Sequence, residues 1–134
     1  ITYTGEGGTA ILKDGTITID NTAGTSWGTV GADGTTLVLE NMTIRTDAFV
    51  QGNTRGGYAV VVKSKRKYPS KIILKNCVID GNISIGDYSE LEAYDSQING
   101  TIYAISSGTA VLSNTVYYGK TGSGTVTGGS LIGG

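Results

Sequence analysis

The chain has 134 residues, a formal net charge of −1, one cysteine, one proline and 22 glycines. That length supports one domain with a sizeable core, read here as 1–134. A lone cysteine excludes an internal disulfide and a cysteine-based zinc site, and no apolar run approaches membrane-spanning length. No charged leader precedes Ile1, so a targeting signal is expected to be absent or already removed. The charge is uneven: Arg55, Lys63, Lys65, Arg66, Lys67, Lys71 and Lys75 share one window without an acid, and Asp80, Asp87, Glu90, Glu92 and Asp95 follow.

In chain order, Ile1 to Thr9 is a short strand-like lead broken by glycines. Ala10 to Asp20 alternates strand-favouring residues, bends at Asp14-Gly15 and resumes as Thr-Ile-Thr-Ile. Asn21 to Thr36 has loop chemistry and holds the only tryptophan, Trp27. A repeat of the first pattern begins at Leu37, and a further strand is predicted over Tyr58–Val62. The basic turn Lys63 to Lys71 contains Pro69, which excludes a central strand there. From Ile72 the repeats tighten, with extra strands predicted at Asn82–Ile85 and Thr101–Ile105. No stretch has helical periodicity.

Six segments, starting at Ala10, Leu37, Ile72, Leu91, Ala110 and Thr125, superpose without a gap. Each follows one frame: apolar, any, apolar, any, turn residue, any, any, apolar. The turn position holds Asp14, Asn41, Asn76, Asp95, Asn114 and Gly129. Asn, Asp and Gly are the residues that best tolerate positive φ, so a sharp bend is predicted at each. The first and third positions should point inward and stack in rows, as should the eighth, which reads Ile17, Ile44, Ile79, Ile98, Tyr117 and Ile132. The prediction is an all-β solenoid, a parallel β-helix of about six rungs with an Asn/Asp ladder.

The Leu-x-Leu-x-Asn-x-x-Ile frame resembles the right-handed parallel β-helices of the pectin-lyase-like superfamily, which includes many phage tailspike proteins. The resemblance covers Ala10 to Gly134 and supplies the expected right-handedness. Asn41, Asn76 and Asn114 match the asparagine-ladder position, whereas Asp14, Asp95 and Gly129 depart from it. The catalytic motifs do not carry over: there is no histidine, no adjacent Asp-Asp and no matching calcium cluster.

Trp27 and Tyr58 could form a sugar-stacking surface on the inserted loops, with Arg66 and Tyr68 from the basic turn beside them. Asp80, Asp87, Glu90 and Glu92 are the acids that a polysaccharide lyase or glycosidase acting on an acidic polysaccharide would use; solvated turn positions are the simpler reading. The second frame position should face outward, yet apart from Glu92 it carries Ile11, Val38, Ile73, Val111 and Val126, a stripe that marks a self-association surface or a face covered by one of the inserted loops. A β-column also ends in unpaired edges, so the chain is read as a segment of a longer protein or a subunit of an assembly. The expectation is a non-catalytic structural or recognition module, secreted and borne on a cell surface or virion such as a phage tail. It would bind a glycan or cell-wall polymer, with no cofactor, no metal, no nucleic acid partner and no membrane insertion.

Overall fold

The computed structural model describes residues 1–19, 28–53 and 56–133. It contains β1 (Thr2–Thr4), β2 (Thr9–Ile19), β3 (Val30–Asp33), β4 (Thr36–Thr46), β5 (Tyr58–Val62), β6 (Lys71–Lys75), β7 (Val78–Asp80), β8 (Asn82–Ile85), β9 (Glu90–Tyr94), β10 (Gln97–Ala104), β11 (Thr109–Thr121) and β12 (Thr125–Leu131). All the ladders are parallel, and the longer strands β2, β4, β11 and β12 carry a positive-φ bend residue inside them, with Val, Ile and Leu on either side.

Six strands close on one another. β4 pairs β6, β6 pairs β9, β9 pairs β11, β11 pairs β10, β10 pairs β7, and β7 returns to β4. This ring is a six-stranded parallel barrel, and β1, β2, β3, β5, β8 and β12 lie outside it. The expected right-handed β-helix, a solenoid of about six rungs resembling the pectin-lyase-like and tailspike superfamily, is therefore corrected. The reason lies in β10, which is long enough to pair β7 through Gln97 and Ile98, β8 through Ile102 to Ala104, and β11 along both halves. One strand thus joins the ladders of β7, β8 and β11, which a stack of separate rungs would keep apart.

The rows of the frame run straight across this sheet. Ala10, Leu37, Ile72, Leu91 and Ala110 are consecutive partners, as are Leu12, Leu39, Leu74, Ala93 and Leu112. From Leu37 and Leu39 onward these side chains are buried in one core with Ile44, Ile79 and Ile98. The last segment is displaced by one residue from its predicted start: Ala110 pairs Val126, and Tyr117 pairs Leu131 instead of Ile132. β12 skips two positions at its bend, where Gly128 and Gly129 both have positive φ.

The bends explain the turn residues. Asp14, Asn41, Asn76, Asp95 and Asn114 have φ of 64°, 53°, 53°, 52° and 47°. Their side chains face one another across neighbouring strands. Asn41 Nδ2 donates to Asp14 Oδ1 at 3.2 Å, Asn76 Nδ2 donates to Asn41 Oδ1 at 3.2 Å, and Asn114 Nδ2 donates to Asp95 Oδ1 at 2.8 Å. An ionised carboxylate only accepts, so Asp14 fixes the direction of donation for the asparagines that follow. Asp95 has no donor to offer Asn76 Oδ1, and the row divides there. Just beyond the bend, the Cys77 thiol donates to the carbonyls of Leu39 and Lys75 where Ser96 and Thr115 use hydroxyls. Burial pushes its pKa up, as suits a small core residue.

Candidate functional site on the outer face of β6 and β9

Alternate residues of a strand share a face, so Lys71, Ile73 and Lys75 of β6 lie beside Glu90, Glu92 and Tyr94 of β9 on the outside of the sheet. Lys71 Nζ lies 2.9 Å from Glu90 Oε1 and also forms an ion pair with Glu92 Oε2. The Tyr94 hydroxyl donates to Glu92 Oε1 at 2.7 Å. Glu92 and then Glu90 hold the Lys71 ammonium above its ordinary pKa. Lys71, aided by Tyr94, holds the Glu92 carboxyl below the usual glutamate value.

This clamp makes stability depend on acid. A carboxyl whose folded pKa is depressed binds fewer protons folded than unfolded, so its contribution is present at neutral pH and is lost as pH falls below the ordinary glutamate value of about 4.3. Melting temperatures of the wild type and Glu92→Gln should therefore converge between pH ~5 and pH ~3. Parallel curves across that range would show that the clamp contributes nothing to folding.

Two grooves flank the clamp, one at the N-terminal ends of β6 and β9 and one on their outer face. One, about 380 Å³, is lined by Thr36, Lys65, Pro69, Ser70, Lys71, Tyr88, Ser89, Glu90, Ser107 and Thr109. The other, about 440 Å³, is lined by Ile73, Lys75, Asn76, Glu92, Tyr94 and Asp95. The wall of the first is the basic turn, which is tied down by its backbone: the Lys65 N–H donates to Asp87 O at 2.8 Å, and the Ser89 hydroxyl donates to Lys63 O at 2.5 Å. Gly86 allows this approach, because a Cβ there would meet the backbone of Ser64. Tyr88 stands at the rim with φ of 55° and is 69% exposed.

The residues singled out by sequence are scattered. Trp27 lies outside the described residues. Arg66 and Tyr68 share a smaller groove with Lys67 and Asp33, about 180 Å³ in volume. There the Lys67 ammonium sits 5.6 Å from the centroid of the Tyr68 ring, and the ring also packs by Gly7. Tyr58 begins β5, at the end of the strand away from that loop, and burial and then neighbouring Tyr103 raise its hydroxyl pKa.

The acids do not converge either. Glu90 and Glu92 share Lys71, and Asp87 Oδ1 accepts the Ser107 N–H at 3.3 Å. Asp80, on β7, accepts from Asn99 Nδ2 at 2.5 Å and lies 3.6 Å from Arg45 Nε. In the outer stripe Ile11 is 59% exposed and Val111 46%, but Val38 is 8% exposed and Ile73 is half-buried. Glu92 stands between Ile73 and Val111, and Val126 packs against the core.

Sequence reasoning passed over Tyr88 and Tyr94, and noticed Lys65 only as part of the basic turn. Tyr94 occupies the outward fourth frame position and was open to detection there, whereas an exposed turn residue such as Tyr88 leaves no periodic signal. No family model, curated protein or solved structure matches this chain.

Proposed function

We propose that the protein is a non-catalytic recognition module of a cell surface or virion that binds a glycan in the grooves on β6 and β9. The observation that carries this reading is Tyr88. Left-handed backbone costs an ordinary residue about 1–2 kcal/mol, and the other such positions among the described residues hold Asn, Asp, Gly or the small Ser106, none of them an aromatic. A large ring held at this position and left in solvent contributes little to packing, and backbone strain of this kind concentrates at ligand clamps. An exposed tyrosine offers a flat apolar face and a hydroxyl, the combination favoured at recognition surfaces. Around it Ser70, Ser107, Thr109 and Glu90 supply the polar groups that fix a hydroxyl-rich ligand.

A lyase or glycosidase reading has less support. Glycoside cleavage needs a carboxyl with a raised pKa to act as acid. Glu92 is shifted the other way, and Asp80 stands on a different stretch of the sheet.

In a glycan-array and calorimetry experiment, Tyr88→Ala should weaken glycan binding roughly tenfold, and Tyr118→Ala, an exposed tyrosine on β11, should leave it unchanged. Wild-type protein that retains no glycan would sink the reading, as would equal affinities for wild type and Tyr88→Ala.

A further inference from the structure

The grooves on either side of the clamp meet on one face. Outward residues recur at Lys71, Ile73 and Lys75 on β6 and at Glu90, Glu92 and Tyr94 on β9, with each pair in register. The first groove ends on Lys71 and Glu90, and the second begins on Ile73 and Glu92, so no strand intervenes between them. Tyr88, in the turn before β9, stands at one end and Tyr94, 39% exposed, at the other, with β9 between them covering roughly 13 Å at ~3.3 Å per residue.

We infer that the site takes an uncharged linear polysaccharide lying along β9, bridging both grooves with Tyr88 and Tyr94 as its two ring platforms. This rests on the glycan-binding reading and adds ligand length, direction and charge. Length follows from the distance between the tyrosines, which a single sugar unit cannot span. Charge follows from the middle of the path, where Glu90 and Glu92 surround one ammonium, that of Lys71. A uronate or sulfated unit there would meet a surplus of negative charge. A neutral sugar meets oxygens that accept from its hydroxyls and an ammonium that donates to them. Lys65 and Lys75 lie towards the two ends, so among the described residues the middle of the path has no second cation to offset the carboxylates.

The test is calorimetric titration with neutral glucan, mannan and galactan oligosaccharides from the disaccharide upward, alongside oligogalacturonates of matching lengths. Affinity for the bound neutral series should rise with length and then level off. Tyr94→Ala should lower the affinity of the long members roughly tenfold while leaving that of the shortest bound members unchanged. Tyr94→Phe should restore the long-chain affinity, because it keeps the ring and loses only the hydroxyl.

Short chains binding as tightly as long ones, or a Tyr94→Ala variant indistinguishable from wild type, overturns the bridging inference and leaves the glycan-binding reading standing. Preference for the oligogalacturonates overturns the assignment of an uncharged ligand in the same way. Absence of binding to any oligosaccharide removes both. Circular dichroism and the melting temperature of each variant separate lost binding from lost folding.

Discussion

Gly100→Ala is expected to destabilise the protein by about 3 kcal/mol, while Gly119→Ala changes stability by less than ~0.5 kcal/mol. Gly100 sits in β10 where the strand leaves β7 for β8, between the register positions Ile98 and Thr101. A Cβ there would land on the carbonyl of Gly81 and reach to 2.8 Å from the Asn82 nitrogen. Gly81 has no room to retreat, since its own hydrogen faces the Ala59 backbone, with a Cβ placed only 2.8 Å from the Ala59 nitrogen. The obstruction is backbone against backbone, which rotamer changes cannot relieve. At Gly119 a Cβ would lie 3.8 Å from Thr101 Oγ1, an ordinary contact. Urea unfolding of the two variants measures the difference through the transition midpoint. Equal midpoints would mean that the strands at this corner separate freely, contrary to the packing described above.

Asn82→Ala is expected to cost about 1–3 kcal/mol, because the buried Thr101 N–H is left without its acceptor. The Asn82 side chain is buried, and its amide is fully engaged. Nδ2 donates to Asn53 O at 2.6 Å and Gly56 O at 2.9 Å, and Oδ1 accepts the Thr101 N–H at 2.9 Å. It joins the segment preceding β5 to the strand that closes the ring. Asn82→Asp keeps the acceptor but loses both donors and buries a charge, so it should rescue little. Native-state hydrogen exchange gives a second readout: protection of the Thr101 amide should fall further than that of Leu74 or Leu91. A variant with wild-type stability and unchanged Thr101 protection would refute the assignment.

Much of the local structure was legible because it repeats. The bends at Asp14, Asn41, Asn76, Asp95 and Asn114 were readable from residue type, since each position demands positive φ and few side chains accept it. The inward rows were readable because a shift of one residue would turn every Leu and Ile outward. The closure of the ring was not readable. Gln97–Ala104 looks like two short strands divided by Asn99-Gly100, and periodicity within a segment does not reveal which neighbour a strand meets after a corner. The last segment was misplaced for a related reason. Starting the frame at Thr125 places Gly129 at the bend, and only the pairing of Val126 with Ala110 shows that Val126 holds the first position.

The candidate site was less visible. The Lys71 clamp exists only once β6 and β9 are in register, since Lys71 and Glu92 are far apart in the chain. Tyr68 attracted attention as the one aromatic in the basic turn, yet it lies against Lys67 and Gly7, while Tyr88 carries the exposed ring.

The row of side-chain amides at the bends also bears on how such a sheet can lengthen by gene duplication. Every donor in it points towards the earlier segment, and Asp14 and Asp95, which only accept, each stand at the head of a run. A copied segment with Asn at its bend, inserted after Asn41, would find an acceptor ahead of it and offer one to Asn76 behind. A copy with Asp at that position would begin a new run, as Asp95 does. Growth by asparagine segments is thus neutral for the row, and each aspartate acts as punctuation.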